Sequence, residues 1–586
     1  MIASESIFCR LIFIVLIVQT LGWFLATLAE EPQEVQPLKV VYFIPNDRSP
    51  AADRQERLGR VMKNIQEFYR KGMEANGHGS KTFALEWETP EKLRLYDVRG
   101  QRKLTDYPKG TEGVVFREVF ESLKQQGINM DQGYTLILGA WVHWTGDVAK
   151  EYGPYGGLGS EAAGAAFACE DELIDADLLA SKEPGGYHYM IPDGYCSLGM
   201  FNTLYIGGIA HELGHTFGLP HDSELDLQRD TLGISIMGTG NHFYGKNLRG
   251  ESPDAFLTAA SAIRLSVCRA FDPDFAKHQY HGDITWFIEN FDTSFENDKL
   301  ILAGKSVSVP AVKGIIAYND DTTRQGDYDA KTWVAIPDVD GNFRLEINEL
   351  DRTLFEMRLV AVFPGGRTDR IDINYSNTSG TPMLEPFHTS VVRREINVRL
   401  DQRDWNKVAE LLTTQVEKFP NNKTWAKKLQ HLETIKFPPD FFEPDKVSTD
   451  KTEIDLTYAK ALESRVGWYE PSRGILRECG FFEVDSTFFE SGIYAHPASL
   501  YTFSIGKQWK EFDFKYGIQD DKPGSVVFVV RGDDKEMFRS GTVRKGEIRT
   551  KTLDVSDVNI LELRTEDAGD GWANDWGLWL EPQLSR

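Results

Sequence analysis

Apolar positions change their period several times along this chain, and each change predicts a new kind of element. Residues 38–44 (LKVVYFI) are almost continuously apolar and predict a buried strand. Residues 51–75 place Leu58, Val61, Met62, Ile65, Phe68 and Tyr69 on one side of a helix. A strand near 82–88, a helix over 114–126 and a strand over 134–144 continue the alternation, which predicts a twisted sheet with helices packed on it. The glycine-rich stretch 152–164 reads as a loop or sheet edge beside a cleft, and 204–218 as a helix. A helix over 255–270 closes the region.

From about 284 to 376 the texture turns to short alternating runs, at 300–303, 306–309, 314–318, 332–336, 342–347, 355–363 and 370–374. Gly, Asp and Asn punctuate them, a rhythm that predicts a small β-sandwich of immunoglobulin-like type. Two short helices follow. In 405–419 Trp405, Val408, Leu412 and Val416 form one apolar stripe, and in 424–435 Trp425, Leu429 and Leu432 form another. We read 400–436 as a helical hairpin spacer and 437–455 as a linker. Alternating runs such as 525–531 and 553–555 predict a further all-β region over 460–583.

Composition narrows the class. The chain has 586 residues, long enough for several cores, and its 41% hydrophobic and 26% charged residues are ordinary for globular protein. A net charge of −24 argues against nucleic acid as a partner, because phosphates are repelled by such a surface. The apolar run 11–29 follows Arg10 and precedes Glu30-Glu31-Pro32, so 1–29 reads as a signal peptide cleaved after Ala29. The run is also long enough for an uncleaved anchor; both readings place the protein outside the cytoplasm, secreted or at the cell surface. In an oxidising compartment one disulfide among Cys169, Cys196 and Cys268 is permitted, with Cys169–Cys196 the expected pair and Cys479 a buried free thiol.

The chemistry concentrates in residues 211–222, HELGHTFGLPHD. His211 and His215 share one helix face and can grip one ion, with Glu212 beside them. Gly218 lets the chain leave the helix through positive φ, and the turn returns His221 as a third nitrogen ligand. Three histidines with one open position is the ligand set of a catalytic zinc rather than of a closed structural site. Further on stands Ser235-Ile236-Met237-Gly238.

Together these motifs resemble the metzincin metalloproteases, with Asp222 similar to the reprolysin (adamalysin) branch. The resemblance is tight over 204–237 and only architectural elsewhere. It implies an α/β catalytic domain over 38–275, Zn²⁺ held by His211, His215 and His221, and a peptide substrate laid along an edge strand. Glu212 would take a proton from the zinc-bound water and hand it to the departing amine. Gly218 would shape the turn, Met237 would floor the histidines, and Asp222 would anchor the loop. Some relatives carry a Tyr two residues after the Met; this chain has Thr239 there.

The stretches SGIYAHPAS (491–499), YGIQDD (516–521), GSVVFVV (524–530) and GDGWANDW (569–576) resemble the NPCBM family of carbohydrate-binding modules. That resemblance implies a C-terminal β-sandwich over 460–583 that binds sugar. Trp572 and Asp575 are its candidate glycan contacts, since Trp rings stack on sugar faces and carboxylates accept from hydroxyls. Trp579 reads as core. Asp338 with Asp340, and Asp567, Asp570, Asn574 with Asp575, are candidate Ca²⁺ ligands, with solvated turns the commoner reading. The expectation is therefore a multidomain protein: an α/β metzincin-like catalytic domain, an immunoglobulin-like β-sandwich over 284–376, a short helical hairpin and a C-terminal β-sandwich. It would be a secreted zinc endopeptidase with a protein or glycoprotein substrate and carbohydrate as a second partner. The alternative is a non-catalytic glycan-binding surface protein with a vestigial zinc site.

Overall fold

The computed structural model describes residues 35–586 except 131–132, 189–193, 325, 479 and 521. Residues 1–29, read from the sequence as a signal peptide, and Cys479 lie outside the described residues. Two compact units divide the chain: one runs to Trp286 and takes in Asp292–Met383, and the other comprises Phe287–Phe291 with Leu384–Arg586. The whole is multidomain and rich in β-structure, with several sheets and a few helices.

In the first unit, β1 (Lys39–Ile44), α1 (Arg54–Ala75), β2 (Tyr96–Arg99), α2 (Glu112–Gln125) and β3 (Gly133–Gly139) alternate along the chain. The antiparallel pair β4 (Gly156–Gly159) and β5 (Ala163–Cys169) completes a five-stranded sheet in the order β2-β1-β3-β5-β4. Its first four strands are parallel, and β3 is buried along its whole length, as strands covered on both faces must be. Leu58, Val61, Met62, Ile65 and Tyr69 of α1 are fully buried, the period expected of a helix laid on a sheet. The edge strand β4 is the long glycine-rich stretch of the sequence.

The helix that carries His211 and His215, α3 (Leu198–Thr216), is apolar on every side and buried almost throughout. Ser197 caps it by accepting from Met200 N–H. Cys169, Cys196 and Cys268 are free and buried, so the expected Cys169–Cys196 disulfide is not formed. Each thiol sits in the core instead, and Cys268 lies 3.1 Å from the Tyr134 hydroxyl.

After α4 (Ala259–Leu265), the same unit holds a four-stranded antiparallel sheet of β6 (Gly314–Asp321), β7 (Lys331–Ala335), β8 (Leu354–Val362) and β9 (Thr368–Ser376), ordered β7-β6-β8-β9. Ile316, Tyr318, Val360 and Val362 of this sheet form one buried cluster with Ala260, Ile263 and Val267. That apolar joint fixes the sheet against α4. Asp338, a candidate calcium ligand, spends its carboxylate on the Asp340 and Asn342 amides of a turn.

In the second unit, three helices precede the last β-region: α5 (Glu385–Asp401), α6 (Trp405–Lys418) and α7 (Lys423–Lys436). The hairpin read from the sequence thus has an additional helix before it. Residues 453–585 build two five-stranded antiparallel sheets around Trp509, Phe512, Phe514, Phe528 and Trp579. Among the described residues no helix is long and apolar enough to cross a membrane.

Candidate metal centre

Residue by residue, the centre is assembled on α3 by close backbone contacts. A Cβ on Gly157 of the edge strand would fall 2.0 Å from the Glu212 carbonyl oxygen, and one on Gly159 1.9 Å from that of Thr216. Only glycine allows β4 to lie directly against the helix there. On the other side a Cβ at Gly214 would meet the Met237 sulfur at 2.2 Å, so Met237, itself fully buried, packs under the helix. Gly218 takes φ +84°, and the chain turns back to His221.

The three imidazoles converge. His215 Nε2 lies 3.1 Å from His211 Nε2 and 3.0 Å from His221 Nε2. His211 Nδ1 is 2.7 Å from the Ile236 carbonyl and His215 Nδ1 2.9 Å from the Leu219 carbonyl. A carbonyl oxygen only accepts, so these Nδ1 atoms carry the hydrogen and the Nε2 atoms present bare lone pairs. Burial pushes His211 down to about 4 and lowers His215 as well, which keeps the rings neutral and available as ligands. Nitrogens around a tetrahedral zinc stand about 3.3 Å apart, so the donor set fits such an ion. Among the described residues this is the group of His, Cys, Asp or Glu side chains that could hold a metal ion.

Glu212 is largely buried beside the triad. Burial raises its carboxyl to about 7, against a hydrogen bond from Gly157 N–H that lowers it. Asp222 is fully buried and accepts from the hydroxyls of Ser235, Thr258 at 2.6 Å and Ser261 at 2.6 Å. Burial raises its carboxyl too. Tyr244, in the segment after Met237, donates to Asn64 at 2.7 Å.

Two neighbours of the site escaped the sequence reading. Asp327 accepts from His221 Nδ1 at 2.7 Å, and the Tyr328 ring stacks on His221 with centroids 3.6 Å apart. Both stand in the loop between β6 and β7, in the strand-rich region beyond the catalytic segment. That loop is held by Ser223 N–H donating to the Ala330 carbonyl at 2.8 Å. No local motif announces them; the only hint in the sequence is a long polar insertion between two strands. The carboxylate on a ligand histidine fixes its tautomer and ring orientation.

In the C-terminal region Trp572 is 69% exposed, whereas Asp575 is 1% exposed and accepts from Ser525 N–H at 2.8 Å. Asp575 therefore caps the start of a strand and is corrected from glycan contact to loop anchor. Asp570 is likewise engaged by the Ser525 hydroxyl. Neither acidic set gathers three ligand atoms among the described residues. Trp579 is fully buried.

Fold and site define a β-rich multidomain protein with a trihistidine cluster able to hold a metal ion. Its residues 452–585 match the NPCBM/NEW2 domain family, so the C-terminal region is an NPCBM domain. No curated protein matches the chain. Among solved structures it is similar to wild-type OgpA from Akkermansia muciniphila, at 24% identity over 58% of this chain and 94% of that one, TM-score 0.49. Catalytically inactive OgpA in complex with an O-glycopeptide substrate matches at 23% identity, over 58% and 93% of the two chains, TM-score 0.49. A CBM51 module from Clostridium perfringens in complex with methyl-galactose matches at 19% identity over 23% of this chain and all of its own, TM-score 0.22.

Proposed function

We propose that this chain is a zinc-dependent endopeptidase of metzincin type, directed to glycan-bearing protein by its NPCBM domain. In this reading the catalytic domain spans 38–275, an immunoglobulin-like sandwich 284–376 and the glycan-binding module 460–583, and 1–29 exports the chain. The observation that carries it is the convergence of three imidazoles on one point beside a largely buried carboxyl raised to about 7. His211, His215 and His221 are the residues that would hold the ion. Zinc bound there supplies a Lewis acid that polarises the scissile carbonyl and acidifies water.

The protein's own groups do the rest. Glu212 accepts the proton released as water adds to the carbonyl and returns it to the departing amine nitrogen, a role that suits a carboxyl titrating near neutrality. β4 is an edge strand, and a substrate segment in extended conformation can pair with its free side. Asp222 and Met237 hold the His221 loop and the floor of the site. The rival reading, a glycan-binding protein with a relic metal site, has no use for an intact Glu212.

The test is cleavage of a panel of unfolded proteins and glycoproteins by wild type beside Glu212→Ala. The expected result is new α-amino termini with wild type, and a loss of at least about 10²-fold in the variant with zinc retained. Equal zinc content and no cleavage by either protein would reduce the chain to its glycan-binding module.

A further inference from the structure

A cavity of about 490 Å³ adjoins the metal centre and is not needed to explain hydrolysis. One wall is the edge strand at Gly157–Gly159, one end is His215 with the turn Gly218–Pro220, and the opposite wall is the sheet β6-β8-β9. Register explains what that sheet presents. Tyr318 lies opposite Arg358, and Val360 opposite Arg370, so these side chains share one face with Ile316 and Val362. The apolar part of the face is covered by α4. Where that cover stops, Arg358 and Arg370 line the cavity, joined by Arg264 from α4 itself.

Three arginines against one lining carboxylate, Asp369, is an unusual local balance in a chain of net charge −24. Arg264 has a structural task, donating to the Gly218 carbonyl at 2.9 Å. Arg370 is mostly exposed and lies 3.3 Å from Asp372. Arg358 is different. Its Nε and Nη2 are buried and have no hydrogen-bond partner, and its nearest carboxylate oxygen, on Asp327, is 4.0 Å away. The guanidinium, which is always charged, is otherwise met by Asp327 at its Nη1 and by the Tyr318 ring 5.5 Å away, so two buried donors of the fork are left without acceptors. Its planar fork matches the oxygens of a carboxylate or sulfate.

We propose that this cavity is an anion subsite that receives a carboxylate or sulfate carried by the substrate close to the cleaved bond. The inference rests on the peptidase reading above and deepens it. The anion is either an acidic side chain of the peptide or an acidic sugar on it; the chemistry at Arg358 and Arg370 is the same. A peptide paired along β4 runs past this cavity, with Gly157–Gly159 forming both its docking edge and the cavity wall.

The experiment compares matched peptides that carry Glu or Gln at successive positions around one cleaved bond, and matched glycopeptides with and without a sialic acid or a sulfate. The full-length enzyme should cleave one acidic series at least about tenfold faster in kcat/KM than its neutral counterpart. Which series responds identifies the source of the anion. Arg358→Gln should bring the ratio towards one, and Arg370→Gln, at the exposed rim, should lower it should Arg358→Gln fail to fold. Binding of the same pairs to Glu212→Ala, measured by fluorescence anisotropy, should show the same preference without turnover. That arm separates the two readings: discrimination in binding without any cleavage by wild type sinks the peptidase and keeps the subsite. Equal handling of acidic and neutral partners in both assays, or a preference that survives both arginine variants, overturns the subsite.

Discussion

Asp327 is a positioning residue whose worth is measurable apart from turnover. Its carboxylate holds His221 through Nδ1, so Asp327→Ala should weaken zinc binding by about 10- to 100-fold in chelator competition. The melting temperature of the metal-free protein should barely move, which separates positioning from general packing. A zinc affinity equal to wild type would remove Asp327 from the centre. Tyr328 adds a second comparison through its stack on His221. Tyr328→Phe should keep the zinc affinity and Tyr328→Ala should lower it several-fold, because only the latter loses the ring; the same pair read by kcat/KM then isolates the phenol. His211, Glu212, His215, Gly218 and His221 were all legible because they fall within one short segment, the first three at helical spacing and the last two in the turn that follows the helix. Asp327 and Tyr328 were not, because a contact across 106 residues leaves no local period.

At the scale of elements, two features yield sharp expectations. Gly157 is the point where β4 touches α3, and its φ is not in the left-handed region, so only space forbids a side chain. Gly157→Ala should push the strand from the helix, lowering thermal stability and zinc stoichiometry together; a variant with wild-type values for both would show that the contact yields easily. The other feature is α5. Glu395 is buried there with Oε1 in no hydrogen bond, and burial pushes its carboxyl up to about 7 despite Arg399 Nε 3.7 Å from that oxygen. The folded protein therefore holds this proton more tightly than the unfolded chain. Its contribution is fully present below about 4.5 and lost as pH rises to about 7. Glu395→Gln should accordingly be more stable than wild type at pH 8, by on the order of 2–3 kcal/mol in denaturant melts, with the gap closing by pH 4. A pH-independent difference would refute it. α5 also shows the limit of periodicity: Phe387, Val391, Ile396 and Leu400 are buried, but so are His388 and Glu395, and those polar positions blur the stripe. For 152–164 the sequence left loop and sheet edge both open, since four residues of Gly and Leu carry no strand signal of their own.

The molecule as a whole combines a strongly acidic chain with a reading in which it must engage glycoprotein. In that reading long-range charge gives no help towards acidic glycans, and retention on a substrate would fall to local contacts, those of the NPCBM domain among them. Trp572, on a Gly/Asp loop, is an exposed aromatic of that domain and the candidate for stacking on sugar. Trp572→Ala should depress cleavage of intact glycoprotein relative to cleavage of short peptides, read as the ratio of the two rates. An unchanged ratio would move glycan recognition elsewhere in the domain. The broad plan, helices on a sheet and then successive β-regions, was readable from changes of period alone. What was not readable is that β6 to β9 belong to the same compact unit as the histidines, because packing between sheet and helix is set by Ile263, Ile316 and Val360 together.

The Asp327–His221 contact also has a consequence in time. As a chain grows at about 5–20 residues per second, His221 emerges many seconds before its partner carboxylate is even made. The loop that carries Asp327 is in turn held only once β6, β7 and β8 have paired. A nascent chain thus carries the whole motif yet an unfinished centre, and the completed histidine cluster arrives as a late event of maturation, after more than half of the polypeptide has been made.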